Sequence, residues 1–399
     1  RDVMCASYAD RIGTEAEALE LLEHTLSNAV ADQAIADVPL GAFLSGGVDS
    51  SLVVSLLQCQ SSRPVRTFTI GFEDSGFNEA PFARAVASHL GTEHTETLFT
   101  SADARALIPQ LPHIYSEPFA DSSQLPTHLV CRATRLAGLT VALSGDGGDE
   151  LFGGYNRYIW SRGIWNRLAW LPRPLRQSLG SAIACIPPPL WDVLGGPLPV
   201  AQLGHKAHKL ASRLHHVASS DELYRSLVCE WRDPASLLHV DLAPEACLAT
   251  AIDQALPACL DAEPIARMMA WDALGYLPDD ILVKVDRAAM AVGLETRAPF
   301  LDHRVAAVAW RLPMYMKIRA STGKWPLRQI LYKYVPRELI ERPKAGFAIP
   351  IGQWLSGPLR AWADELLHPD RLRREGFLRP EPIYQVWQQH LSGRYDHTN

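Results

Sequence analysis

The chain has 399 residues, 38 basic and 44 acidic, for a formal charge of −6 with histidine neutral. That balance excludes a polybasic nucleic-acid binder, and 47% hydrophobic with 21% charged residues excludes disorder while leaving enough chain for one large core or two. The longest uncharged apolar stretch, Ser178 to Trp191, contains Pro187-Pro188-Pro189 and falls short of the roughly 20 residues that cross a bilayer, so no membrane span is expected.

Arg1 to Cys5 lack a basic segment running into an apolar one, so no secretory leader is expected. The seven cysteines, Cys5, Cys59, Cys131, Cys185, Cys229, Cys247 and Cys259, lie far apart without a C-x-x-C pair. They fit neither a disulfide framework nor a zinc knuckle and point to a reduced, cytoplasmic setting. No cysteine or carboxylate at ligand spacing completes a metal set around His205 and His208 or around His215 and His216, so these are expected on solvated helix faces.

In chain order, residues 1–14 read as a linker. Glu15 to Ala36 places Ala18, Leu21, Leu22, Leu26 and Ala29 on one face at helical spacing. Val38 to Leu44 is a short apolar run ending in Ser45-Gly46-Gly47, the pattern of a buried parallel strand running into a tight turn, and Ser50 to Gln58 continues as helix. Arg66 to Phe72 and Glu93 to Leu98 read as strands on either side of a helix over Ala80 to Leu90; Leu129 to Ala137 reads as helix and Thr140 to Ser144 as another buried strand. This alternation predicts an α/β fold over 15–171, a parallel sheet with helices on both faces. Seven prolines from Pro172 to Pro199 forbid long regular elements and place a connection there. Beyond it, Lys206 to Arg232 and Ile265 to Tyr276 read as helices without further strand pattern, so 200–399 is expected to be mainly helical. No internal repeat is visible.

The strongest chemical signal is Phe43-Leu44-Ser45-Gly46-Gly47-Val48-Asp49-Ser50-Ser51, where a strand hands over to a helix. Amides at such a turn converge, and the helix N-terminus adds partial positive charge, so the site can hold phosphate oxygens. Ser45, Ser50 and Ser51 add hydroxyl donors. Asp49 would repel phosphate without a cation between them, which implies Mg²⁺ beside a nucleotide. Neither G-x-x-x-x-G-K-[ST] nor a G-x-G-x-x-G fingerprint with its acid is present.

The string S-G-G-V-D-S resembles the pyrophosphate loop of the N-type ATP pyrophosphatases, which cleave ATP between its α and β phosphates. A second block, Ala142 to Tyr155 (ALSGDGGDELFGGY), resembles the S-G-[DE]-G-x-D-E-[LV]-F-G-G-Y motif of asparagine synthetases. Asp279 to Asp302 and Arg342-Pro343-Lys344-Ala345-Gly346-Phe347 also resemble that family's synthetase domain, so the likeness runs from about Glu15 to the last residue. It implies an adenine nucleotide alpha hydrolase-like sheet and an amide-forming ligase that proceeds through an acyl adenylate.

On this resemblance Asp49 and Asp149 hold Mg²⁺, and Ser45, Gly46, Gly47 and Ser50 cradle the pyrophosphate of ATP. Leu44, Ile70 and Gly145, with Ser144 beside them, sit around the adenine. Lys344 matches the catalytic lysine, Arg287 another basic active-site residue, and Glu295 a carboxylate that orients acceptor or amine. Asp146 is acidic as in ammonia-using members, whereas lactam-forming relatives carry tyrosine. The implied partners are a small carboxylate, aspartate first, and ammonia from a glutaminase domain. No nucleic acid or membrane is implied, and a homodimer is left open.

Three departures stand out. No glutaminase-sized segment follows Met4-Cys5, and the stretch Val386 to Arg394 resembles one that precedes a further helix, so the chain reads as an excised synthetase region. Phe119-Ala120-Asp121-Ser122-Ser123-Gln124 stands where well-studied relatives carry a Thr/Arg segment for the acceptor, and no arginine occupies it. A lactam or isopeptide cyclase, amidation of another carboxylate such as a sugar acid, and a catalytically silent scaffold are the rival readings.

Overall fold

The computed structural model describes residues 1–72, 78–187, 190–191, 203–229, 231, 234–239, 256–341 and 349–393. The chain forms two compact units, one of Arg1–Ile159 with Leu256–Ile349, the other of Trp160–Ala255 with Pro350–Asn399.

The first unit is built on a parallel sheet of β1 (Leu40–Phe43), β2 (Arg66–Phe72), β3 (Glu93–Phe99), β4 (Val141–Leu143) and β5 (Glu295–Arg297), ordered β3-β2-β1-β4-β5. β2 is buried along nearly its whole length, as a strand covered on both faces must be. β3 forms an edge and carries charge there: Glu96 accepts from Arg84 at 2.7 Å, which discourages pairing with a further strand.

Residues 1–14 are not a bare linker. Asp2–Ala9 forms helix α1, Met4 and Ile12 are buried, and the Ile12 amide donates to Arg311 O at 3.1 Å. Eight residues are too few to show a helical period, which is why the sequence left them unassigned. Helix α2 (Glu15–Gln33) is capped by Thr14, whose side chain accepts from the Glu17 amide at 3.3 Å, and buries Ala18, Leu22, Leu26, Ala29 and Val30. Helix α3 (Val48–Gln60) is buried at every position from Val48 to Leu57 except Asp49, the signature of a helix packed on all sides. Helix α4 (Ala80–Leu90) starts with Pro81 in its first turn and stops at Gly91 in the left-handed region.

β5 adds one short strand to a stretch that is otherwise mainly helical, as expected. It pairs Glu295, Thr296 and Arg297 with Val141, Ala142 and Leu143. Three residues, two of them charged, carry no hydrophobic alternation, so only the neighbouring strand reveals it.

In the second unit Arg173–Ala184 is a regular helix despite the surrounding prolines, because Pro172 and Pro174 lie at its start, where a missing amide costs nothing. Residues 188–189 and 192–199 of the proline-rich stretch lie outside the described residues. This helix packs on Leu203–His216, and the buried Arg176 donates to Val217 O at 3.0 Å. The helix expected over 206–232 is two. Ser219 caps a new start at Ser220 by accepting from the Glu222 amide at 3.1 Å, and the second piece ends at Val228. His208 and His215 are not simply solvated: they pair with Ile186 O at 2.8 Å and Ser181 Oγ at 3.2 Å.

Candidate active site

The strand order reverses between β1 and β4. β2 and β3 continue to one side and β5 to the other. At such a switch point the loops leaving the carboxyl ends part and open a crevice. Both glycine loops leave the sheet here, Leu44 to Gly47 after β1 and Ser144 to Gly147 after β4, and a cleft of about 740 Å³ lies against them. Leu44, Ser45, Gly47, Asp49 and Ser50 line it from the first loop and α3, Ile70 from β2, and Ser144, Gly145, Asp146 and Asp149 from the second loop.

The first loop is tied by its own hydroxyls. The Ser45 amide donates to Ser50 Oγ at 3.2 Å, the two serine hydroxyls share a bond at 3.0 Å, and the Gly47 amide donates to Ser45 Oγ at 3.3 Å. Gly46, at φ +71°, runs behind the cleft lining, and a Cβ there would come within 2.8 Å of the Phe82 backbone. Gly47 caps α3 without a side chain, so the positive end of the helix dipole meets the cleft.

The second loop brings its charge against the first. Gly148 opens the helix Gly148–Phe152, and a Cβ on it would sit 2.6 Å from Asp49 Oδ1. Asp49 and Asp149 meet at one cation: Lys324 Nζ contacts Asp149 Oδ1 at 2.8 Å and also bonds Asp49 Oδ2. Lys324 is 7% exposed; burial alone would lower its pKa, but the two carboxylates more than offset this and hold it charged. Its backbone lies in the left-handed region at φ 58°, and its amide donates to Phe152 O at 3.0 Å, which fixes the side chain's starting point. The sequence reading missed Lys324; its left-handed backbone becomes visible only in the structure.

Neighbouring acids are perturbed. Burial holds the Asp146 carboxyl above its ordinary value. Burial, with Asp149 nearby, pushes Glu150 up to about 7, while the Tyr155 hydroxyl donates to it. A second cavity of about 370 Å³ shares Ser144 and Asp146 with the cleft and is also lined by Gln33, Arg297 and Leu301.

Two expected residues stand elsewhere. Arg287 and Glu295 are exposed and line neither cavity; Glu295 accepts from Arg297 Nε at 2.6 Å. In the helix Val283–Met290 it is Lys284, one turn before Arg287, that faces the cleft, with Nζ 2.6 Å from Asp121 Oδ2. Lys344 lies outside the described residues.

Two glycine loops at the switch point, joined through paired carboxylates, match the order of motifs in one family, and the sequence pattern described as Asparagine synthase covers residues 21–399. The chain belongs to the asparagine synthase family. Proteins of Mycobacterium tuberculosis and Mycobacterium bovis that bear the provisional name asparagine synthetase (glutamine-hydrolyzing) are 36% identical over 94% of this chain and 54% of their own length. Asparagine synthetase 1 (glutamine-hydrolyzing) of Bacillus subtilis is 28% identical over 91% of this chain and 54% of its own. The amidase chry2 of Gibberella zeae is 25% identical over 98% and 60%. The chain therefore spans about half the length of the curated relatives it matches.

Asp49 and Asp149 form a donor set of two hard oxygen ligands that already share one cation, which suits a magnesium ion completed by phosphate oxygens. Among the described residues no third His, Cys, Asp or Glu joins them, so phosphate would have to supply the rest of the shell. No described helix is long and apolar enough to cross a membrane.

Proposed function

We propose that this chain carries the synthetase chemistry of an ATP-dependent amide ligase, with aspartate as acceptor and ammonia, delivered from a glutaminase domain, as amine. A carboxylate oxygen of the acceptor attacks the α-phosphate, the bond to the β-phosphate breaks, and pyrophosphate leaves. Ammonia then attacks the acyl adenylate, AMP departs, and a proton from the nitrogen is taken up.

The observation that carries this reading is the meeting of Asp49 and Asp149 at one cation over the two glycine loops. A bound divalent cation would supply positive charge for the departing pyrophosphate. Around it the chain supplies donors on the cleft wall: the hydroxyls of Ser45 and Ser50, the first amides of α3, and the Lys324 ammonium. Leu44 and Ile70 offer apolar walls to the adenine. Asp146, whose carboxyl burial holds above its ordinary value, lies at the junction of the two cavities and is the candidate to accept the proton that the attacking amine must lose. Lys344 is proposed as a second cation for the phosphates.

The test is pyrophosphate release from Mg-ATP by the full-length protein with L-aspartate, with and without ammonium, using Asp49→Ala as control. Release that requires aspartate, and asparagine that appears only with ammonium, is the expected result. ATP binding without any aspartate-triggered release would overturn the acceptor assignment.

A further inference from the structure

The first unit is assembled from two stretches of chain, Arg1–Ile159 and Leu256–Ile349, and α1 packs against the first turn of the second stretch, the 3-10 helix Ala258–Leu260. Polar side chains fix that contact. The Arg11 guanidinium lies 3.6 Å over the Tyr8 ring, its Nη2 stands 3.5 Å from Glu263 Oε2, and the Tyr8 hydroxyl hydrogen-bonds Glu263. Cys5 lies three residues before Tyr8, on the same face of α1, and Cys259 lies four residues before Glu263. There the two thiols hydrogen-bond each other, Cys259 exposed and Cys5 half-buried.

Cysteines 254 positions apart in the chain therefore meet in the fold. At eight residues α1 is too short to persist as a helix by itself, so it depends on what holds it to the rest of the unit. A hydrogen bond between thiols is weak and adds little to that attachment. The same two sulfurs, however, need travel only on the order of 2 Å to reach bonding distance, and the exposed Cys259 side chain has room to turn.

We propose that Cys5 and Cys259 form a modification site for peroxide-class oxidants, closing reversibly to a disulfide that staples the two stretches of the first unit together. Cys259, the exposed member, meets the oxidant first: its sulfur attacks one peroxide oxygen, the O–O bond breaks, and a sulfenic acid and one water form. The Cys5 sulfur then attacks the Cys259 sulfur, the S–O bond breaks, and the hydroxyl leaves with the Cys5 thiol proton as a second water. The two sulfurs together lose two electrons, and the peroxide takes up both. A dithiol reductant reverses the step by exchange. Burial and the Cys5 thiol hold the Cys259 thiol above its ordinary value, so the site answers sustained rather than brief oxidation. The closed ring runs from Cys5 to Cys259 and includes both glycine loops; rings this long restrict the unfolded chain most, which favours the folded state.

The experiment treats the reduced full-length protein with hydrogen peroxide, maps its peptides without reductant, and compares melting temperatures before and after dithiothreitol. A cross-linked peptide joining Cys5 to Cys259 is expected, with melting about 5–10 °C above the reduced protein and a full return on reduction. Cys59→Ser, which alters another exposed cysteine, should keep both effects, whereas Cys5→Ser and Cys259→Ser should each lose both. Because Cys259 is exposed, Cys259→Ser carries the test if Cys5→Ser does not fold. Peroxide that drives Cys259 on to sulfinic acid without any cross-link would overturn the pairing. A cross-link that forms yet leaves the melting temperature unchanged would overturn the staple.

Discussion

Lys324 Nζ lies 2.8 Å from Asp149 Oδ1 and also bonds Asp49, so a single ammonium neutralises carboxylates that two separate glycine loops deliver. Lys324→Met leaves those carboxylates facing each other in a largely desolvated setting. Stability should fall by about 3 kcal/mol, seen as a melting temperature lower by roughly 6–12 °C. Added Mg²⁺ should recover more of the melting temperature in the variant than in the wild type. An identical Mg²⁺ response in both proteins would mean that the two carboxylates do not share a metal.

Gly148 lies where a methyl group would come within 2.6 Å of Asp49 Oδ1. Gly148→Ala should therefore displace the Asp49 carboxylate while leaving the fold intact. Pyrophosphate release should drop by on the order of a hundredfold with a circular dichroism spectrum like that of the wild type. Normal turnover would show that Asp49 need not hold its observed position.

Arg157 contacts the fully buried Asp272 twice, through Nη2 at 2.7 Å and Nε at 3.1 Å, and its guanidinium lies 4.0 Å over the Tyr155 ring. Arg157→Met removes the charge that allows Asp272 to be buried at the start of the π-helix. A loss of about 3–5 kcal/mol is expected by denaturant unfolding, and adding Asp272→Asn should return part of it.

Lys317 is fully buried, its ammonium 4.7 Å from the Trp310 ring centroid, and burial pushes its pKa down to about 7. Between pH 7 and about 10.4 the unfolded chain holds a proton there that the folded chain lacks, so stability rises with pH across that window and is lost as pH falls through 7. Lys317→Met has no such proton to lose. It should melt about 5 °C higher than the wild type at pH 7, with the advantage shrinking toward pH 10. A pH-independent difference would place the cause in packing alone.

Much of the nucleotide-binding sheet could be read directly. β2 at Arg66–Phe72 and α4 at Ala80–Leu90 have the expected bounds because hydrophobic pattern, proline at the start and glycine at the end all agree locally. β5 escaped because three polar residues carry no period. Lys324 escaped because its role depends on a partner 275 positions away. Lys284 was passed over for Arg287 because motif order along a helix does not report which turn faces inward; packing against Gln124–Leu136 decides that. The glycine loops, whose pattern is local, were legible in the sequence, whereas Lys324 and Lys284, whose partners lie far away in the chain, were not.

The position of Lys324 so late in the chain has a consequence for synthesis. Asp49 leaves the ribosome 275 residues ahead of the ammonium that neutralises it, an interval of roughly 14–55 s at about 5–20 residues per second. For the part of that time between the synthesis of β4 and that of β5, β4 also lacks its neighbour, so the nascent protein exposes a bare strand edge beside an uncompensated acid. The nucleotide cleft can close only after translation has passed both β5 and Lys324. Until then, its protection from aggregation falls to whatever binds the emerging polypeptide.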